Sequence, residues 1–202
     1  MEKHFRYNKL KLKKGVFTPQ YDTEGIVDLV KNRVDYGVGL EVGIGTGAIS
    51  IAIASETNNV LTAIDINKKA IKLAKKNAKL NKVDKFLNII ESDFFKFKSS
   101  NKFDFLVSNP PYIDFADQGV EEWVKTNQPH EALYAAENGL LFYKSFLQRF
   151  EELLTPQGIM FFEIGEEQKS DLAKVLSEYP KFKYEFTRDI SGKDRYLVVE
   201  LK

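Results

Sequence analysis

Three glycines alternate through Glu41-Val42-Gly43-Ile44-Gly45-Thr46-Gly47, at the end of an apolar run that begins at Val38. Glycines let the backbone turn sharply and approach a ligand closely, so a strand has to stop here and a helix has to open at Ala48. A second break, Asn109-Pro110-Pro111-Tyr112, ends the apolar run from Phe103 to Val107. Each run reads as a buried parallel strand, and parallel strands occur in sheets covered by helices on both faces. The two breaks then look like two halves of one site.

Strands and helices alternate along the rest of the chain. Phe5 to Phe17 is roughly alternating and predicts a short N-terminal hairpin or edge strand. Asp22 or Thr23 caps a helix that runs to about Arg33. Val38–Val42 is followed by a helix from Ala48 to Ser55, a strand from Val60 to Ile64 ending at Asp65, and a helix over Lys68–Leu80. In that helix Ala70, Leu73, Ala74, Asn77 and Ala78 face the sheet and the lysines face water; no aromatic residue interleaves with them, so a solvated face is preferred to an RNA-binding stripe. Phe86–Ile90 and Phe103–Val107 are further strands. The stretch from Asp114 to Asn138 has no clear period and reads as an excursion over the site. A helix from Leu140 to Leu154 closes at Thr155-Pro156-Gln157-Gly158, before a strand over Ile159–Ile164, a helix over Ser170–Tyr179, and strands over Tyr184–Arg188 and Tyr196–Leu201.

Composition removes several alternatives. With 202 residues, 43% of them hydrophobic, the chain suits one domain with a full core. A net charge of +1 gives no general attraction to a nucleic-acid backbone. No cysteine is present, and His4 and His130 are far apart, so no local metal motif exists. No stretch is apolar for the roughly 18 residues a membrane span needs. The first residues lack a signal-peptide core. A cytoplasmic protein with no metal is expected.

Ligands of a doubly wound sheet sit outside the carboxyl ends of its strands. Those ends here carry Glu41 to Gly47, Asp65, Asp93 and Asn109. The turn at Gly43, Gly45 and Gly47 lets a nucleoside come close, the helix opening at Ala48 offers N–H groups to a carboxylate, and Asp65 accepts from ribose hydroxyls. Taken alone, this pattern also suits NAD, whose fingerprint is Gly-x-Gly-x-x-Gly. Here the glycines alternate behind Glu41. That arrangement, with Ile44 and Thr46 between the glycines, resembles the first motif of class I S-adenosylmethionine-dependent methyltransferases. The resemblance implies that Glu41 helps fix the methionine portion, that Asp93 or its backbone neighbour meets the adenine amino group, and that Phe94 packs on the ring. The plainer alternative is a capping aspartate followed by core phenylalanines.

An amide nitrogen is a poor nucleophile because its lone pair is conjugated. A transferase has to orient it near the methyl carbon and aim acceptors at its protons. Asn109, which also borders the cofactor, supplies a side-chain carbonyl. Pro110 supplies a backbone carbonyl that Pro111 holds extended, and Tyr112 supplies a flat face. No general base is required, because the methylated nitrogen loses its proton to water. Asn-Pro-Pro is also a good ordinary turn, and only its position at a strand end favours function.

Over nearly its whole length the sequence resembles the protein-glutamine N5-methyltransferases of peptide chain release factors, the PrmC/HemK family. The segments that carry the resemblance are Gly15-Val16-Phe17-Thr18-Pro19 with Thr23-Glu24, Glu41 to Ile49, Phe103 to Ile113, Pro129-His130-Glu131-Ala132-Leu133, Asn138-Gly139-Leu140, Phe162-Glu163-Ile164-Gly165 and Asp189 to Arg195. It implies a Rossmann-like, mostly parallel seven-stranded sheet, S-adenosylmethionine as cofactor and a release factor as protein substrate, with no stable nucleic-acid or membrane partner. Residues 1–20 would form a hairpin and entrance segment and residues 21–202 the methyltransferase domain. Three departures stand out. Pro19-Gln20-Tyr21-Asp22-Thr23-Glu24 lacks the family's Arg and second Pro, Gln128 replaces a Glu, and the sequence starts past the place where the family's N-terminal helical domain would be expected, either as a fragment or as a catalytic domain that acts alone or with a partner. An RNA or DNA exocyclic-amine methyltransferase is the competing activity, and the near-zero charge counts against it. A non-catalytic cofactor-binding subunit would not need Asn-Pro-Pro-Tyr.

Overall fold

The computed structural model describes residues 1–117, 119 and 122–202, with Trp123 and Asn127 described by backbone alone. Five strands run parallel: β3 (Val38–Val42), β4 (Val60–Asp65), β5 (Leu87–Glu91), β6 (Phe103–Ser108) and β9 (Leu154–Glu163). Two more, β10 (Phe182–Arg188) and β11 (Asp194–Leu201), complete the sheet antiparallel. The spatial order is β10-β11-β9-β6-β3-β4-β5 in a sheet of seven strands. From β3 the chain steps outward through β4 to β5, then returns to lay β6 on the other side of β3. The reversal therefore falls between β3 and β6. Val42 and Ser108 pair across it, and the Ser108 hydroxyl donates to the Val42 carbonyl at 2.8 Å.

Helices α1 (Glu24–Arg33), α2 (Ala48–Glu56) and α3 (Lys68–Leu80) cover one face, and α5 (Leu141–Gln148), α6 (Phe150–Leu153) and α7 (Lys169–Ser177) cover the other. Successive strand residues point to opposite faces, so Phe105 and Val107 of β6 enter the first core while Leu106 enters the second. The inward face of α3 is as expected, with Ile71 added.

The N-terminal hairpin, β1 (Glu2–Phe5) and β2 (Asn8–Lys11), is a sheet of its own. It starts earlier than the sequence pattern suggests, and residues 12–20 contain no strand. Side-chain amides of α3 stand in for a neighbouring strand, since an amide both donates and accepts. Asn81 accepts from Lys9 N at 3.1 Å and donates to Lys9 O at 2.9 Å. Asn77 does the same for Lys11 and also donates to Thr46 O at 2.9 Å. One fully buried amide thus ties the hairpin to the glycine turn.

Several expected boundaries shift. The single helix expected over Leu140–Leu154 is two, broken at Arg149, whose guanidinium reaches across to the carbonyls of Phe94 and Phe97. Strand β9 begins at Leu154, ahead of the expected turn. Its register jumps from Leu154 opposite Phe103 to Ile159 opposite Phe105, so Thr155 to Gly158 bulge out of the ladder. Thr23 makes no capping bond; a 3₁₀ turn over Tyr21–Thr23 leads into α1 instead. The expected excursion contains β7 (Ile113–Asp114), α4 (Glu122–Asn127), a 3₁₀ turn at His130–Ala132 and β8 (Tyr134–Ala135), with Gln118, Val120 and Glu121 outside the described residues. Among the described residues no helix is long and apolar enough to cross a membrane.

Candidate active site

A cavity of about 910 Å³ opens outside the carboxyl ends of β3, β4, β5 and β6, at the reversal of strand order. Glu41, Gly43, Ile44, Gly45, Thr46, Asp65, Asp93, Phe94, Asn109, Pro110, Pro111 and Tyr112 all line it. Gly47 does not. It caps α2 in a left-handed conformation, where a Cβ would collide with Ile51 and crowd Ala74. The alternation of glycines has a backbone cause, since φ is +81° at Gly43, +53° at Gly45 and +88° at Gly47, a region that L side chains rarely adopt. A Cβ on Gly43 would meet no protein atom within 4 Å and would project into open space. This cradle suits a ligand that approaches the backbone.

Neighbouring strand ends lock the turn. Gly43 N and Ile44 N donate to Ile64 O, at 2.9 and 3.1 Å. Asp65 accepts from Gly45 N at 2.9 Å and from Asn67 N at 2.8 Å, one bond on each carboxylate oxygen. Each oxygen keeps a lone pair for a hydroxyl. Burial raises the pKa of Asp65 despite those bonds. Glu41 is 1% exposed and accepts from both the N–H and the hydroxyl of Ser50. It therefore takes one of the free N–H groups of α2 that the sequence pattern assigned to a ligand. Burial pushes the Glu41 pKa up to about 8, against the bonds from Ser50 and with a small push from Asp65. An ammonium group brought beside it would reverse that shift.

Asp93 and Phe94 fit the plainer reading of their segment, and both also line the cavity. The Asp93 carboxylate accepts from Phe95 N at 3.0 Å, as a capping residue does. The Phe94 ring packs 4.6 Å from the Phe146 ring, with the Arg149 guanidinium 4.8 Å from its centroid, and it also forms cavity wall.

On the other side of the reversal, Asn109 Nδ2 lies 3.4 Å from the Thr23 hydroxyl oxygen, with Thr23 2% exposed. The Tyr112 carbonyl accepts from Gln168 Nε2 at 3.0 Å, and Gln168 in turn accepts from Gly165 N at 3.0 Å. Burial holds the Tyr112 hydroxyl well above its ordinary pKa. Behind them sits Glu163, at the end of β9, 4% exposed and pushed by burial to a pKa of about 7. Arg195 completes this corner, its Nε 3.2 Å from Asp189 and its Nη2 3.7 Å from Asp22.

Sequence reasoning passed over Glu163, Arg195 and the hydroxyl of Thr23 as site residues. Glu163 was within reach of the strand-end rule, since β9 adjoins β6. Arg195 lies inside a strand and gives no local signal. Gln128, noted only as a departure, is 6% exposed and accepts from Thr18 N at 3.0 Å, joining the entrance segment to the excursion. That bond needs an amide or carboxylate oxygen and no charge. Val16 and Phe17 from the entrance segment, and Gln128, Pro129, Glu131, Ala132 and Leu133 from the excursion, meet around the cavity mouth.

The sheet order, the reversal and the turn that ends β3 define a class I S-adenosylmethionine-dependent methyltransferase. Solved structures share the fold. A methyltransferase from Pyrococcus furiosus gives a TM-score of 0.72 at 16% identity over 96% of this chain and 89% of that one. The ribosomal protein L11 methylase from Lactobacillus delbrueckii subsp. bulgaricus gives 0.68 at 19% identity, over 93% and 82%. The sequence profile of the methyltransferase small domain family matches residues 9–140. Among curated relatives, the release factor glutamine methyltransferase of Fusobacterium nucleatum is 38% identical over 94% of this chain, and that of Bacillus cereus 35% identical over 93%. The chain belongs to the release factor glutamine methyltransferase family. It spans 55% of the length of the Fusobacterium protein and 69% of the Bacillus one.

Proposed function

We propose that this protein methylates the N5 nitrogen of a glutamine side chain, that of the Gly-Gly-Gln motif of peptide chain release factors, in the cytoplasm. The observation that carries this reading is Asn109-Pro110-Pro111-Tyr112 at the reversal, facing the glycine cradle across one cavity. Bound S-adenosylmethionine supplies an electrophilic methyl group on a sulfonium. Gly43 and Gly45 admit the nucleoside to the backbone, Asp65 accepts from the ribose, Glu41 answers the α-ammonium and Phe94 walls the adenine.

Two acceptors take the two protons of the substrate amide, the Asn109 side-chain oxygen and the Pro110 carbonyl. The Tyr112 ring packs on the amide plane. These groups hold the nitrogen in line with the methyl carbon and stabilise the positive charge that develops on it. Residues 1–20 then serve as an entrance segment to a catalytic domain over residues 21–202.

The test is incubation with labelled S-adenosylmethionine and release factor, with tRNA, rRNA and DNA in parallel. Label on the release factor, lost when the Gln of its Gly-Gly-Gln motif is replaced, is expected. Label confined to a nucleic acid would instead establish the exocyclic-amine activity.

A further inference from the structure

The reaction proposed above gives no task to Glu163. This carboxyl lies behind Asn109 at 4% exposure, and its Oε2 has no hydrogen-bond partner among the described residues. Burying a carboxyl without a cation on it is unfavourable, and the nearest guanidinium, that of Arg195, has its Nε on Asp189. Strand register sets Glu163 beside Asn109, since Ser108 pairs with Phe162, and Thr23 and Asn109 are the polar side chains that hold its pKa down against burial. Asn109 Nδ2 also approaches the Thr23 hydroxyl oxygen at 3.4 Å. The bonds run in one direction. The Asn109 N–H donates to the Thr23 hydroxyl oxygen, which leaves the Thr23 O–H to donate toward Glu163.

That direction matters because a side-chain amide is asymmetric, one end donating and the other accepting. Unrestrained, Asn109 can turn over and present its NH₂ to the substrate, donor against donor. Acceptors on the protein side exclude that orientation. The geometry points to Glu163, acting with Thr23, as the positioning residue that holds the Asn109 NH₂ inward and turns its carbonyl oxygen to the cavity. A charged acceptor at the end of the chain strengthens each bond in it. The inference rests on the reading that Asn109 accepts from the substrate amide.

Two measurements test it, one of them independent of substrate. In ¹⁵N-labelled protein, the side-chain amide of Asn109, assigned by its loss in Asn109→Asp, should shift as Glu163 ionises around pH about 7. Asp22, Arg195, Tyr112, Tyr143 and Tyr196 also face this corner, so the same titration in Glu163→Gln isolates the part due to Glu163, and there the shift should vanish. In turnover, Glu163→Leu should lose about tenfold or more in kcat with cofactor-product affinity unchanged, as misorientation costs rate rather than ground-state binding. Glu163→Gln keeps an oxygen for Thr23 and should recover most of that loss. Thr23→Val, which removes the hydroxyl and keeps the shape, serves if the leucine variant does not fold, and should lower kcat in the same way. A purely structural role would lower thermal stability and leave kcat per folded molecule unchanged, and that result overturns the inference. So would amide shifts that are identical in wild type and Glu163→Gln at every pH. If the glutamine reading fails, the wild type does not methylate release factor, yet the amide titration still reports on Glu163.

Discussion

Replacing Glu41 by Gln should stabilise the cofactor-free protein increasingly as pH rises from about 5 to 8. Glu41 is 1% exposed, and burial pushes its pKa from 4.5 to about 8. Across that interval the folded protein keeps a proton that the unfolded chain has released. Raising the pH therefore favours the unfolded state. The stabilising contribution is complete below about 4.5 and is lost as pH climbs through about 8. At about 1.4 kcal/mol per pH unit, the interval sets a ceiling of about 5 kcal/mol. Relaxation and water entry reduce penalties of this kind, and roughly 2 kcal/mol, somewhat under half the ceiling, is the working figure.

Gln at position 41 still offers an oxygen to Ser50 N and has nothing to titrate. Thermal unfolding of both proteins in the same buffers gives a difference curve in which other groups cancel. At about 2–4 °C per kcal/mol for a chain of this size, the variant should gain roughly 4–8 °C on wild type between the two ends. Saturating S-adenosylhomocysteine, whose α-ammonium lies beside Glu41 on the proposed placement, should narrow that gap by ionising the carboxyl. Parallel unfolding curves from pH 5 to 8 would refute the reasoning, because they would mean that the carboxyl is solvated or paired in solution.

Asp65→Ala should weaken cofactor-product binding by about 1.5–3 kcal/mol, the range for hydrogen bonds to a charged group, as read by calorimetry; unchanged affinity would remove Asp65 from the site. Asn109→Ala should lower kcat by about a hundredfold or more, as loss of one preorganised polar group does, and near-normal turnover in a folded variant would leave Asn-Pro-Pro-Tyr a plain structural turn. Arg149→Ala removes the bonds to the Phe94 and Phe97 carbonyls; it should lower stability by about 2 kcal/mol and weaken cofactor binding through the loosened Phe94 wall, both visible in unfolding with and without S-adenosylhomocysteine.

The sheet was legible because its apolar runs and their terminating turns are local. Val38–Val42 matches β3, and the strands ending at Asp65 and near Asn109 lie within a residue or two of those expected. What escaped was set by distant groups. No property of residues 140–154 marks a break at Arg149, since its cause is a pair of carbonyls at Phe94 and Phe97. Thr155-Pro156-Gln157-Gly158 carries a genuine turn signal, but β6 continues alongside and absorbs it as a bulge. The hairpin boundary slipped because amides of Asn77 and Asn81, far along the chain, decide which of its residues pair.

The same division runs through the site. Residues that line the cavity at strand ends announce themselves by type, as Gly43, Gly45, Asp65 and Asn109 do. Residues that orient them do not. Thr23 has the composition and place of a helix cap, and only the fold shows its hydroxyl turned from α1 toward Asn109. Glu163 ends an apolar strand where a buried carboxyl is costly, and that cost is itself a signal. A charged residue closing a run such as Ile159 to Phe162, on the strand next to Asn-Pro-Pro-Tyr, is retained against its desolvation energy. The groups that lower its pKa against burial are the Thr23 hydroxyl, the Arg195 guanidinium and the Asn109 amide; Arg195 already has its Nε on Asp189, which is why the orientation of the Asn109 amide, rather than fold stability, is the property to measure when Glu163 is changed.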